Sequence, residues 1–284
     1  GTVTMSITPS VSNTLVVTGD PTASQFTGVT QGRIRITNFL SDDALPTAAS
    51  TLTAASKSYF TFQNIHFEGY ITTSLAGSVS LVDSRNYTFS KCLFSQGNRG
   101  SNPGLVLAQS TTSTSITGTF EKCIFQGSYA GIICISTNTG TAYNLAITVN
   151  DSVFINNGTG VLAANGLSGG ATGVGNGITI YNCVFNVASG VYINTTNTIN
   201  KSNIYNSSFV SGSGTGIQAN ANSAIEDYNR FSSLVSISGI TGGANSKSGV
   251  AGLDFGYSAI TALYTIDYNA PYPAGVVQGT GTAS

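Results

Sequence analysis

The chain has 284 residues, 40% of them apolar and only 7% charged, with 34 Gly, no Trp and a net charge of −1. A chain of this length can bury a large core, and its polar surface has to come from Ser, Thr and Asn rather than from charge. The 10 basic and 11 acidic residues are scattered, mostly singly, so no electropositive stripe follows a phosphate backbone and nucleic acid is excluded as a partner.

In chain order, residues 1–30 are rich in Thr and Ser, with short alternations at Val3 to Ile7 and Thr14 to Val17 and a break at Asp20-Pro21. They read as a first coil or a cap over the open end of an apolar column. The start, GTVTMSITPS, has no initiator Met and no charged-then-apolar signal pattern, which implies a removed leader or a trimmed chain. RIRITNFL, from Arg33 to Leu40, looks like a degraded copy of a motif that becomes regular later. SDDALPTAASTLTAASK, from Ser41 to Lys57, is expected to form a lateral loop or a short helix.

From Gly118 to Ala219 one plan recurs four times: GTFEKCIFQGSYAGIIC, AITVNDSVFINNGTGVLAA, ITIYNCVFNVASGVYI and NIYNSSFVSGSGTGIQA. An alternating apolar run ends in Phe (Phe125, Phe154, Phe185, Phe209), a polar turn follows, and a second apolar run restarts at Gly131, Gly160, Gly190 and Gly216. The Phe position extends upstream to Phe94 and Phe67, and downstream, with one extra residue, to Phe231. A motif of fixed order recurring every few tens of residues signals a solenoid, in which each unit buries its apolar face by stacking on its neighbours. Alternation with period two makes the units strands, so the expectation is a single-domain parallel β-helix, all-β, with N- and C-terminal caps. Residues 1–30 form the cap or first coil, 31–238 the β-helix, and 239–284 an irregular C-terminal cap and tail. No apolar run reaches the roughly 18 residues of a spanning helix.

Two columns accompany the Phe. Two residues before it stand Ile65, Cys92, Cys123, Ser152, Cys183 and Ser207, small or apolar residues suited to facing inward. One residue earlier stand Asn64, Lys91, Lys122, Asp151, Asn182 and Asn206, where a polar side chain can cap a turn. Three of the four cysteines thus share an inward column, with Cys134 on the following strand, and they are expected to be free thiols filling core. A strained bridge between Cys92 and Cys123 on adjacent coils is the alternative.

Chemistry-bearing residues are few. His66 is the only histidine, which removes mechanisms and metal sites needing two imidazoles. His66 with Glu68, and Asp83 with Arg85, have the i, i+2 spacing of surface pairs. Glu121, Lys122 and Asp151, with Lys91 one coil earlier, are the densest charge group: a stabilising Lys122–Asp151 pair between coils, or the weak catalytic candidates of a sugar-cleaving site. Alternation turns Glu121 and Asp151 apart, which disfavours catalysis, and Glu226-Asp227 has no acidic neighbour in the register. Tyr181 and Tyr205 are equivalent one coil apart, and Tyr192 follows on the next strand. As exposed rings flanked by Asn and Thr they would bind carbohydrate; as a ladder they would stiffen or fill the sheet. Strict alternation points Tyr181 and Tyr205 inward, and they face out only if Asn182 and Asn206 turn the chain. The Thr-rich TTSTSITGT and NTTNTIN lack a regular Thr-x-Thr rank on successive coils, which argues against an ice-binding face. No metal site and no cofactor are expected.

The column of short motifs, YNCVF at Tyr181 to Phe185, YNSSF at Tyr205 to Phe209 and EKCIF at Glu121 to Phe125, each followed by a Gly-led strand, resembles the right-handed parallel β-helix group. That group is the pectate-lyase-like superfamily of polysaccharide lyases and hydrolases, phage tailspikes and bacterial surface proteins. The resemblance covers roughly residues 30 to 238 and implies a right-handed β-helix outside the cell. The chain lacks the acidic run of the group's hydrolases and the paired basic residues of its pectate lyases. The expectation is therefore a structural or adhesive protein, extracellular, on a cell surface or a virion. Its partners are surface polysaccharide or other structural proteins, including copies of itself in a homo-oligomer. The alternative is a polysaccharide lyase or glycoside hydrolase whose site forms between subunits.

Overall fold

The computed structural model describes residues 3–5, 9–19, 34–37, 50–69, 77–95, 104–111, 115–136, 145–155, 157–165, 177–194, 201–210, 214–220, 223–232 and 235–250. Short alternating runs cannot bury their apolar face alone, and here they wind into coils that stack. One coil runs Ile116–Glu121, Ile124–Gln126 and Ala130–Ser136. The next repeats it in register as Leu145–Asn150, Val153–Ile155 and Thr159–Asn165. The result is a β-solenoid of three parallel sheets with nine, eight and nine strands, and no helix among the described residues. We call the sheet of Ala130–Ser136 the first, that of Ile116–Glu121 the second and that of Ile124–Gln126 the third.

The Phe column is the axis of the core. Phe67, Phe94, Phe125, Phe154, Phe185, Phe209 and Phe231 are all at most 1% exposed. From Phe94 onward their rings stack nearly parallel, with centroids 4.6 to 4.9 Å apart. That spacing is close to the distance between neighbouring strands, so a parallel ladder holds the rings at stacking distance without distortion. A second aromatic run, Phe62, Phe89 and Phe120, stacks in the second sheet at 5.4 and 5.3 Å. It continues as Val149, Ile180 and Ile204.

The Gly restarts make room for these rings. A Cβ on Gly160 would lie 2.5 Å from Phe185 Cδ1 and 2.6 Å from the Gly190 carbonyl oxygen; Gly131 and Gly190 face the same ring and carbonyl, and Gly216 faces the side chains of Phe231 and Val235. Since one obstacle is backbone, the site cannot relax by a rotamer change. Gly160→Ala is expected to lower stability by about 1–3 kcal/mol in a denaturant titration. An unchanged midpoint would show that neighbouring coils slide apart freely.

Between the second and third sheets the chain turns at one residue per coil. Asn64, Lys91, Lys122, Asp151, Asn182, Asn206 and Tyr228 all have φ between 49° and 57°. This left-handed conformation, tolerated best by Asn and Asp, resets the alternation at each corner. The carbonyl before the corner accepts twice. Asn150 O takes Lys122 N–H at 3.0 Å and the Ser152 hydroxyl at 2.8 Å. Glu121 O takes Lys91 N–H at 2.9 Å and the Cys123 thiol at 3.4 Å. Cys183 and Ser207 repeat the bond to Tyr181 O and Tyr205 O at 3.3 and 2.9 Å. Cys and Ser alternate in this column because each brings one small donor to the same acceptor.

All four cysteines are free and buried. Burial pushes the thiols of Cys134 and Cys183 up to about 12. Burial, followed by the neighbouring Cys92, raises Cys123 well above its usual value.

Ladders run beyond the regular repeats at both ends. Val3–Thr4 pairs with Leu52–Thr53, Leu15–Thr18 with Phe60–Gln63, and Ile34–Thr37 with Ile65–Glu68. Ile36 takes the place of Phe in the column. At the other end the third sheet continues to Lys247–Val250. Of the expected loop or short helix over Ser41 to Lys57, residues 41–49 lie outside the described residues, while the remainder holds the strand Leu52–Thr53 of the first sheet and no helix; the tail from residue 251 also lies outside them.

Candidate functional site

The corner decides which side chains face out. Because Asn182 and Asn206 are left-handed, Ile180 and Ile204 point inward, fully buried, while Tyr181 and Tyr205 remain half-buried on the outer face of the second sheet. Register then builds two outward ranks. One contains Gln63, Ser90, Glu121, Asn150, Tyr181, Tyr205 and Asp227. The other contains Thr61, Thr88, Thr119, Thr148 and Thr179, all half-buried, followed by Asn203.

This Thr rank was missed in the Thr-rich segments, although its signal is plain: Thr stands three residues before every corner from Asn64 to Asn182. Glu121, Lys122, Asp151, Tyr181 and Tyr205 come together along one edge of this face. Tyr192 does not join them. It lies on the first sheet, between Leu162 and Gln218.

Within the patch, Lys122 is exposed, whereas Glu121, Asp151 and Tyr181 are half-buried. The expected Lys122–Asp151 pair gives way to amides. Asp151 accepts from Asn150 Nδ2 at 3.2 Å and from Asn182 Nδ2 at 3.3 Å. Both amides lie within one residue or one rung of the carboxylate, while the Lys122 side chain is free to extend into water. Burial first, then the carboxylates of Asp151 and Glu121 with the Cys183 thiol between them in effect, raises the Tyr181 phenol above its usual value. Tyr205 Oη donates to Asn203 Oδ1 at 3.3 Å, two residues back on the same face.

Elsewhere, His66 Nε2 and Ser95 Oγ are 2.7 Å apart on the third sheet, and Glu68 is buried beside them in the same strand. Asp83 accepts from the Thr111 backbone at 2.8 Å, and Arg85 Nε donates to Ser58 Oγ at 3.3 Å.

Among the described residues, the second sheet ends at Ala224–Asp227, which carries the acid pair Glu226 and Asp227. Glu226 is 3% exposed and occupies the inward rung after Ile204. Its carboxylate accepts from Asn229 Nδ2 at 2.8 Å, from Ser246 Oγ at 2.6 Å and from the Gly243 backbone. Asp227 accepts from the backbone and side-chain nitrogens of Asn245, both at 2.9 Å, and from Tyr228 N–H at 2.9 Å. Burial there would raise the Asp227 pKa, but the Asn245 and Tyr228 hydrogen bonds outweigh it and hold the group below its usual value.

Among the described residues no group of three or more His, Cys, Asp and Glu is placed to hold a metal ion, and no helix is long and apolar enough to cross a membrane. No protein-family model, curated protein or solved structure matches this chain, so its function has to be read from the fold and from the outer face of the second sheet.

Proposed function

We propose that the protein is a structural or adhesive member of the right-handed, pectate-lyase-like β-helices, used without catalysis on a cell surface or virion, and that it contacts surface polysaccharide. The observation that supports this reading is the outer face of the second sheet, where Thr61 to Thr179 and Tyr181 with Tyr205 form continuous polar and aromatic ranks across successive coils. Stacked strands hold such ranks rigid before any ligand arrives, which lowers the entropy cost of binding an extended chain.

A second reading, a polysaccharide-cleaving enzyme, draws on Glu121, Lys122 and Asp151 sharing one edge of that face. The test is incubation of the pure protein with bacterial and algal polysaccharides, scoring retention and chain shortening separately, with its oligomeric state fixed by light scattering. Retention without shortening is the expected result. Shortening that disappears in Glu121→Gln or Asp151→Asn would replace the adhesive reading with the enzymatic one.

A further inference from the structure

The third sheet places six outward side chains in a small grid that the adhesive reading leaves unused. In its strands Ile65–Glu68, Leu93–Ser95 and Ile124–Gln126 the Phe faces the core, so the residues on either side of it face out. Register then stacks His66, Leu93 and Ile124 in one rank and Glu68, Ser95 and Gln126 in the other. Across the grid, from one rank to the other, Nε2 of His66, the chain's single imidazole, meets Ser95 Oγ at 2.7 Å.

That pair is what a nucleophilic serine needs. With the ring proton on Nδ1, Nε2 accepts from the Ser95 hydroxyl and takes its proton as the oxygen attacks. Glu68 stands across from Ser95 on the neighbouring strand and two residues from His66 on the same face, so a carboxylate lies near the imidazolium that this transfer creates. Gln126, one rung from Ser95 on the other side, carries an amide suited to an oxygen that gains negative charge. Leu93, in register with His66, offers apolar surface to a short acyl chain. His66, Leu93 and Gln126 are half-buried and Ser95 keeps 9% of its surface, so a small molecule approaches the hydroxyl over those three side chains.

The geometry points to Ser95 as an activated nucleophile that takes an acyl group from a short-chain carboxylic ester, with His66 as its base. Ser95 Oγ bonds the carbonyl carbon, the bond from that carbon to the alcohol oxygen breaks, and the Ser95 proton passes through His66 Nε2 to the departing oxygen. An O-acyl serine and a free alcohol result, with no change of oxidation state. The site lies on a different sheet from the face proposed to contact polysaccharide, and it does not rest on that reading.

The test incubates the full chain with p-nitrophenyl acetate, following p-nitrophenolate release and mapping acetyl groups by mass spectrometry of peptides. A first phase of about one equivalent per chain, with the acetyl group on Ser95, is expected. His66→Gln keeps an amide beside Ser95 but no base, and it should slow that phase about hundredfold or more while the circular dichroism spectrum is unchanged. A fluorophosphonate probe, which phosphonylates activated serines with loss of fluoride, should label Ser95 in the wild type and leave Ser95→Ala unlabelled. Acetyl groups confined to lysines and tyrosines, or a first phase that His66→Gln leaves as fast, overturns the assignment and leaves the adhesive reading standing. Release that continues past one equivalent and vanishes in Ser95→Ala keeps the nucleophile and overturns instead the reading of a protein used without catalysis.

Discussion

Replacing Phe154 by alanine is expected to cost about 3–5 kcal/mol, enough to unfold much of the solenoid at moderate denaturant. The ring is fully buried, and its centroid lies 4.6 Å from that of Phe125 and 4.7 Å from that of Phe185, tilted by 8° and 7°. Removing it takes away apolar burial and also leaves a gap between two rings that belong to different coils. Those coils cannot close the gap, because strand spacing is set by the backbone ladder on all three sheets. Stability in a stacked-repeat protein is a sum of coil and interface terms, and this change strikes two interfaces at once. Chemical denaturation followed by circular dichroism checks it. A loss below about 1 kcal/mol would mean that the ring column fills space without holding the coils together.

Glu226→Ala is expected to release the segment from Gly243 to Ser246 from the second sheet. The wild-type carboxylate stands where the column would otherwise continue as an aliphatic residue, and it draws the segment from Gly243 to Ser246 over the final strand of the second sheet among the described residues. Alanine leaves the Gly243 N–H, the Ser246 hydroxyl and one bond of the Asn229 amide without their acceptor, at about 1–3 kcal/mol for each group that water does not reach. Hydrogen exchange reads this residue by residue. Protection at the Gly243 and Asn245 amides should fall sharply while that of the strand around Phe154 is kept. Unchanged protection at Gly243 would show that the closure does not depend on the carboxylate.

Asp227 adds a pH dependence of known sign. Its folded pKa is lowered, so its contribution is present above the ordinary carboxylate range and is lost as pH falls through the folded value. Protection of the Asn245 amide, taken against its intrinsic exchange rate at each pH, should therefore fall in acid.

Much of this fold was legible in the residues. Phe67 to Phe231 recur in fixed order, and side chains of one column must meet when strands stack in parallel. What the spacing could not reveal was the backbone conformation between the columns. Tyr181 and Cys183 share parity, yet one faces water and the other the core, because Asn182 turns left-handed between them. The same turn explains why Cys123 and Ser152 are interchangeable as donors rather than merely alike in size. Glu226 was hidden for a different reason. A charged residue at an inward register position has meaning only once the segment that folds over it is known, and Gly243 to Ser246 carry no repeat signal. The Lys122–Asp151 pair was expected from column spacing alone, which overlooked that Asn150 and Asn182 sit closer to the carboxylate than a long ammonium arm.

The left-handed corner also makes the molecule a ruler. From Asn64 to Tyr228 successive coils turn through the same backbone geometry, so the residues between one corner and the next form an exchangeable length of chain. Excising the segment from Cys123 through Asp151 would join the Lys122 corner directly to Ser152, the residue that already follows a corner, and would bring Phe154 to stack on Phe94. The shortened protein would keep its cross-section and lose one strand spacing, about 4.8 Å, from its reach. Inserting a copy would add the same amount. Evolution can thus set how far such a rod projects one step at a time, while the side chains on its outer ranks change independently.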